Sequence, residues 1–229
     1  CMGVPSPSRA PSASPSASPS SSPSASPTGL REPVEVLASG YAFSCGLVEV
    51  TGAAACWGSN GANRAPALVA DGADKFVQLS AFALGEYGCG VADTGAVACW
   101  GDAGQWGAPN TNLIPGGTAR DPHPGVAFAQ VGAGYQFACA LRRDDGHALC
   151  WGSNGSGKST PPDDPAVGYL QRAAGGSHVC AIRAADRFLD CWGSNGENRM
   201  SDAPSGVAFA QISSGSAHSC GPVSYTHLR

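Results

Sequence analysis

Charge is the scarcest property of this chain. Asp, Glu, Lys and Arg make up 13% of 229 residues, and the 13 Lys and Arg form no basic block. With 17 Asp and Glu the net charge is −4, so the electrostatic footprint of a nucleic-acid binder is missing and no such partner is expected. No run of about 18 apolar residues occurs, which leaves no candidate for a spanning helix. Cys-x-x-Cys is also missing, and no His stands where it would complete a tetrahedral zinc site, so neither metal nor cofactor is expected. What the chain has instead is glycine, 32 residues of it, which points to many short strands and turns.

Residues 1–29 run from Cys1-Met2-Gly3 through a repeating Pro-Ser-Ala-Ser pattern. Such a stretch cannot bury enough apolar surface to offset its ordering entropy, so a disordered, semi-extended tether is expected. A first-residue cysteine followed by a tether resembles the mature amino terminus of a bacterial lipoprotein, which makes Cys1 a candidate for lipid attachment and the one expected link to a membrane.

The remainder, 30–221, repeats itself. Residues 180–196 carry a cysteine, a turn and then Cys191-Trp192-Gly193-Ser194-Asn195-Gly196; 139–155 and 45–61 have the same frame, and 89–101 shares it as far as Cys99-Trp100-Gly101. The copies span 32–75, 76–123, 124–165 and 166–204, with a partial fifth at 205–221. A period of 40 to 50 residues signals a propeller, solenoid or array. Each copy opens on an apolar approach such as Phe76-Val77-Gln78-Leu79 or Val126-Ala127-Phe128-Ala129-Gln130-Val131, the latter nearly duplicated at 207–212. Gly40, Gly134, Gly175 or Gly215 stands five residues before the first cysteine, implying positive φ or close backbone approach. Leu84 breaks the rule, with Gly85 one step later. Phe43, Tyr87, Phe137, His178 or His218 stands two before the cysteine, on the same strand face.

A hairpin completes each copy. Turn signals at Thr51-Gly52, Asp93-Thr94-Gly95 and Asp144-Asp145-Gly146, with Ala185-Asp186 in the fourth copy, join two strands. Folding about these turns places Cys45 with Cys56, Cys89 with Cys99, Cys139 with Cys150 and Cys180 with Cys191, separated by 11, 10, 11 and 11 residues, at or near opposite positions. Each bridge should add roughly 2 to 3 kcal/mol, and paired cysteines point to an oxidising compartment. Cys220 is expected free, its partner lying beyond the end of the sequence. Trp57, Trp100, Trp151 and Trp192 follow the second cysteines, form a separate stripe, and are expected to pack blade on blade as repeat-core aromatics.

Apolar approach, glycine, aromatic or His, Cys-Ala-Leu, Asp-Gly turn, Cys-Trp-Gly and Gly-Ser-Asn together resemble the regulator of chromosome condensation repeat in its cysteine-bearing, secreted bacterial form. The resemblance implies an all-β fold, a β-propeller of about seven four-stranded blades, working by protein-protein contact; four and a half repeats would form part of such a ring. The family's Gly-Gln-Leu-Gly tail survives only as Gly104-Gln105-Trp106-Gly107. Its nucleotide-exchange activity on a nuclear GTPase conflicts with disulfides and an acidic balance, and its β-lactamase inhibition depends on surface residues not matched here. Residues 222–229 fit no repeat position and read as a non-native tail.

Gly152-Ser153-Asn154-Gly155-Ser156-Gly157-Lys158-Ser159-Thr160 satisfies the phosphate-loop pattern, yet Pro161, Pro162 and Pro165 follow where a helix is required, so it reads as a repeat loop that spells a nucleotide motif. His178 and His218 share an aromatic repeat position. His123, His147 and His227 have no nucleophile in register, and Asp144-Asp145 and Asp163-Asp164 read as turn residues. No catalytic residue is assigned and no enzyme activity is expected. Function, if it is local, should lie in what differs between copies: the loops after each Trp-Gly and the insertion at 110–124. The expectation is an extracytoplasmic binding or scaffold module at the cell surface or secreted, a fragment of a longer lipoprotein with another protein as partner. The alternative is a carbohydrate- or cell-wall-binding accessory propeller of a larger surface enzyme.

Overall fold

The computed structural model describes residues 37–48, 51–61, 65, 75–102, 113–114, 118–120, 123–196 and 203–223. The chain divides into two units, Cys1–Pro33 and Val34–Arg229, and every described residue belongs to the second. The tether, Cys1, Trp106 and the final residues from 224 lie outside the described residues.

Each repeat folds as an antiparallel meander. Blade 1 is β1 (Leu37–Ser39), β2 (Phe43–Leu47) and β3 (Ala54–Gly58); blade 2 begins β4 (Phe76–Ala81), β5 (Tyr87–Ala92) and β6 (Val97–Gly101). Its outer edge is extended by β8 (Thr118–Arg120) and β7 (Leu113–Ile114), in the order β4-β5-β6-β8-β7. Part of the 110–124 insertion is therefore sheet on the flank of blade 2. Blade 3 comprises β9 (Phe128–Ala133), β10 (Phe137–Arg142) and β11 (Ala148–Gly152), and blade 4 β12 (Tyr169–Ala174), β13 (His178–Arg183) and β14 (Leu189–Gly193). A two-stranded fifth unit, β15 (Ser213–Ser214) and β16 (Ser219–Cys220), follows. Phe209 bridges Val223 and the Ala210 N–H donates to Pro222 O at 3.1 Å, so two residues assigned by sequence to the tail pair with the fifth repeat. The architecture is all-β and propeller-like.

The hairpin register puts each cysteine directly opposite its partner, giving Cys45–Cys56, Cys89–Cys99, Cys139–Cys150 and Cys180–Cys191 disulfides with Cα separations of 4.0 to 4.1 Å. Blade 2 reaches the same register with one residue fewer because its turn is shorter: Val91 pairs Val97, whereas Leu141 pairs Ala148.

Cores lie between blades. The Cys45–Cys56 bridge shares one apolar cluster with Phe76, Leu79 and Trp100 of blade 2. Cys89 and Cys99 meet Phe128 and Trp151 of blade 3, and Cys139 meets Tyr169 and Trp192 of blade 4. Thus the cysteine stripe of one blade meets the tryptophan stripe of the next. Within a blade, each buried Trp leans on the first aromatic of its own inner strand, with centroids 6.0 Å apart for Phe76–Trp100, 6.3 Å for Phe128–Trp151 and 6.0 Å for Tyr169–Trp192. Trp57 departs from the expected core role. It is 54% exposed, and Leu37 on the same face is 64% exposed, because no described blade covers the tryptophan side of blade 1.

The glycine five residues before each first cysteine is explained by close approach and not by a left-handed backbone. A Cβ on Gly40 would lie 2.1 Å from the Phe43 ring, and one on Gly134 2.3 Å from the Phe137 ring. In blade 2 the equivalent turn, between Ala81 and Gly88, is two residues longer than that between Ala133 and Ala138, which is why Leu84 breaks the pattern. Positive φ occurs instead at the glycine after Trp, 103° at Gly101 and 102° at Gly152.

Candidate binding face

Each three-stranded blade has two ends. At the hairpin end lie the turns between its second and third strands. At the loop end lie the turn between its first and second strands and the loop that leaves Trp-Gly, held together by Ser59 N–H to Ala42 O (2.8 Å), Asp102 N–H to Glu86 O (3.0 Å), Ser153 N–H to Gln136 O (2.7 Å) and Ser194 N–H to Ser177 O (2.8 Å). Adjacent blades touch there as well, since the Tyr41 N–H donates to Gly85 O at 3.3 Å.

Three large side chains on this end face solvent: Tyr41 at 64%, Leu84 at 50% and Tyr135 at 41% exposure, one on each of the first three blades. The corresponding turns of blade 4 and the fifth unit carry Gly176 and Ser216. The arc is confined to blades 1 to 3.

The phosphate-loop look-alike also lies at this end, and its lysine is committed elsewhere. Gly155–Gly157 forms a single 3-10 turn with Ser156 at φ 62°, followed by no helix. Lys158 is only 5% exposed; its Nζ donates to Tyr135 O at 2.8 Å and sits 5.1 Å from the Phe137 ring centre. Burial holds its pKa below the usual lysine value. The Asn154 side chain accepts the Ser159 N–H at 2.9 Å and donates to Thr160 at 2.9 Å, and the Ser159 hydroxyl donates to Ser153 O. Asn60 accepts from the Ala65 N–H at 2.9 Å in the same way. The segment is a repeated asparagine-braced loop, and Trp192 of the next blade donates to its Lys158 carbonyl at 3.2 Å.

Residues two before the first cysteine join blade to blade. The buried Tyr87 hydroxyl contacts the carbonyls of Gly134 (2.9 Å) and Phe137 and accepts the Gly134 N–H at 3.1 Å; desolvation raises its pKa far above the ordinary phenol value. His178 holds the same place, its Nε2 2.9 Å from the Ser219 hydroxyl. His178 is fully buried, so this pair is an interblade tie. His123 packs edge-on against Trp151, and His147 pairs with Asp145 at 2.8 Å in a hairpin turn. Asp144, Asp145 and Asp164 cap their own turns, accepting the N–H groups of Asp145, His147 and Ala166. Among the described residues no group of three or more His, Cys, Asp or Glu side chains could hold a metal ion.

One set of residues was not singled out by the sequence. Gln78, Gln130 and Gln171 occupy equivalent inner-strand positions and reach across to the next blade. Gln78 pairs both ways with Val131 (3.0 and 2.7 Å), Gln130 donates to Leu170 O (3.0 Å), and Gln171 accepts the Ile212 N–H (2.9 Å). A glutamine recurring inside an otherwise apolar strand was the available signal. These residues, with Ser80, Arg172 and Ser214, line a groove of about 390 Å³ along the inner strands, where Gly132 leaves room for the Arg172 guanidinium.

Residues 128–158, which span β9 to the braced loop, match the family described as Regulator of chromosome condensation (RCC1) repeat. This one stretch of the chain is thus an RCC1-type repeat. No curated protein matches it by sequence. Solved structures with a similar fold include the CRINKLY WD40 ectodomain of the Arabidopsis thaliana receptor kinase ACR4, at 25% identity and a TM-score of 0.61 over 82% of this chain and 58% of that one. Human WBSCR16 is 16% identical with a TM-score of 0.66, over 82% and 57%. Prp20p of Saccharomyces cerevisiae, whose binding to Gsp1p and histones has been described, is 19% identical with a TM-score of 0.62, over 82% and 54%. The chain therefore spans a little over half the length of these structures. Propellers of this kind typically mediate protein-protein contact.

Proposed function

We propose that this chain is an extracytoplasmic binding module that engages another protein through its loop end, with no reaction of its own. The observation that carries the reading is the exposed arc of Tyr41, Leu84 and Tyr135. Leu84 and Tyr135 belong to blades flanked on both sides, so their exposure does not come from an uncovered sheet face. Tyrosine on a rigid scaffold supplies large contact area at little entropic cost, and it is enriched at interface centres. The protein binding of Prp20p supports the same use of the fold. Four disulfides built into the strand register support an oxidising setting, since such bridges do not persist among cytosolic thiols.

The test is site-specific crosslinking at the cell surface. A photo-reactive phenylalanine analogue replacing Tyr41 should give a discrete protein adduct, and the same analogue replacing Leu170, which is exposed toward the hairpin end, should not. Adducts from neither position, or from Leu170 alone, would remove this reading. Thiol labelling of the native protein should leave all eight hairpin cysteines unreactive; labelling of these eight would remove the compartment.

A further inference from the structure

We infer that Lys158 is a positioning residue for the binding face: its ammonium holds the peptide between Tyr135 and Gln136 turned over, and so fixes the direction in which the Tyr135 ring is offered to a partner. The inference rests on the binding-module reading above and adds a residue beneath the surface which that face depends on.

The turn itself supplies the first ground. Four two-residue turns at this end close with the same bond, from the N–H of Gly40, Gly134, Gly175 and Gly215 to the carbonyls of Phe43, Phe137, His178 and His218 at 2.8 to 2.9 Å. In three of them neither central residue has a positive φ, whereas in blade 3 Gln136 holds φ 61°. A reversal of φ at the second central residue is what separates a type II turn from a type I turn, and it turns over the peptide between the two central residues. Glutamine carries a Cβ that disfavours this left-handed backbone, which glycine would accept freely. Something outside the turn must hold it.

Lys158 is placed to do so. Its Nζ donates at 2.8 Å to the Tyr135 carbonyl, the oxygen of the reversed peptide, and lies 5.7 Å from the Tyr135 ring centre and 5.1 Å from that of Phe137. A charge-assisted bond is stronger than a neutral one, and with Lys158 only 5% exposed this one is shielded from water. The backbone that carries Lys158 is fixed without the ammonium, because Asn154 accepts the Ser159 N–H and Trp192 of blade 4 donates to the Lys158 carbonyl. The brace therefore runs from blade 4 through the loop to Tyr135. Tyr41 stands at the same turn position with its peptide unreversed and is 64% exposed, against 41% for Tyr135. Tyr135 gives up exposure for a fixed direction, and a side chain ordered beforehand loses less freedom on binding.

Tyr135-Gln136 is the only Tyr-Gln pair in the sequence, so isotope labelling of tyrosine carbon and glutamine nitrogen isolates this peptide by NMR in the full chain. A strong Overhauser contact from the Tyr135 Hα to the Gln136 amide proton marks the reversed peptide, and a strong contact between the two amide protons marks the ordinary one. Lys158→Met keeps the stem and removes the charge. It should exchange the first contact for the second and lower the adduct yield of the photo-reactive analogue at Tyr41 about threefold, the order of cost for fixing one side chain on binding. Adding Gln136→Gly, which accepts a positive φ freely, should restore both although the charge is still missing. A lysine that only supported the fold would not be rescued in this way. Gln136→Val opposes a positive φ with Lys158 in place and should act in the same direction as Lys158→Met, so it decides the matter if Lys158→Met does not fold. A reversed peptide that persists in Lys158→Met overturns the inference. So does an adduct yield that is unchanged once the peptide has turned back, and the binding-module reading then stands. An unmodified chain that gives no adduct at Tyr41 removes that reading, and the positioning role falls with it.

Discussion

The two ends of the blades are made of the same repeats and treat them in opposite ways. At the hairpin end, one backbone bond recurs: Gly52, Gly95, Gly146 and Arg187 accept from the N–H of Phe76, Phe128, Tyr169 and Phe209, the first aromatics of the following units. Charges there are matched within a turn, as in Arg142 with Asp144 at 2.6 Å and Arg183 with Asp186 at 2.6 Å. At the loop end the backbone frame also recurs, but the side chains above it change from blade to blade, from Tyr41 through Leu84 and Tyr135 to Gly176. A position that must seat the next blade cannot vary freely, whereas one that meets only solvent can. Substitutions at the hairpin end and between the ends should therefore move stability, and those at the loop end should move binding.

The disulfides tie the strands that connect the two ends, so removing one is the severest test. Replacing Cys139 and Cys150 together by alanine opens a closed loop of about 11 residues and should cost about 3 kcal/mol of unfolding free energy in urea. A cost under about 1 kcal/mol would mean that interblade packing, and not the bridge, holds the blade. Next comes the glutamine ladder. Gln78→Ala removes both hydrogen bonds to Val131 and strands its partly buried backbone groups, with an expected loss of about 1 to 2 kcal/mol.

That ladder also marks the limit of what could be read from the row of residues. The hairpins, their pairing and their turns were legible because Cys spacing and Asp-Gly turns are local. So was the propeller-like order of blades, because the repeat itself encodes it. The fate of Trp57 was not legible: its sequence context matches Trp100 and Trp151, and its exposure depends on whether another blade covers it. The same holds for the arc, since Tyr41, Leu84 and Tyr135 are far apart in sequence and Leu84 belongs to a turn two residues longer than its counterparts. The prolines after Lys158 argue in the sequence against a phosphate loop, but the place of its side chain over Phe137 required the fold.

Arg187 offers a way to sharpen the hairpin end. It holds φ 63° where the other blades have Gly52, Gly95 and Gly146 at φ 67°, 94° and 72°. Arg187→Gly relieves a left-handed backbone and should stabilise by about 1 kcal/mol, a gain limited by the extra freedom of glycine when unfolded. A loss would show that the arginine side chain itself contributes.

Acid gives a smaller effect. The Asp145 pKa is lowered by the His147 backbone N–H first and then by the His147 side chain and Arg142, and that of Asp186 by Arg183 and then the Phe188 N–H. A carboxylate with a depressed folded pKa contributes stability above its unfolded value of about 3.9 and loses it as pH falls through the folded value. The decline in unfolding midpoint should therefore lie below about pH 4, and Asp186→Asn should shrink it. Both groups are exposed, so the change should be modest and fade in high salt.

The smallest change in stability is expected where the change in binding is expected to be largest. Leu84 sits in a turn of blade 2, half exposed, and its loss leaves Tyr87 and Phe82 buried beneath. Leu84→Ser should therefore alter the unfolding free energy by less than about 0.5 kcal/mol. Surface apolar residues with that little structural value carry no folding reason to be apolar, so the contrast between an unchanged midpoint and a lost interaction isolates what the loop end is for. A midpoint that falls as far as in Gln78→Ala would instead make Leu84 part of the joint between blades and erase the difference between the two ends.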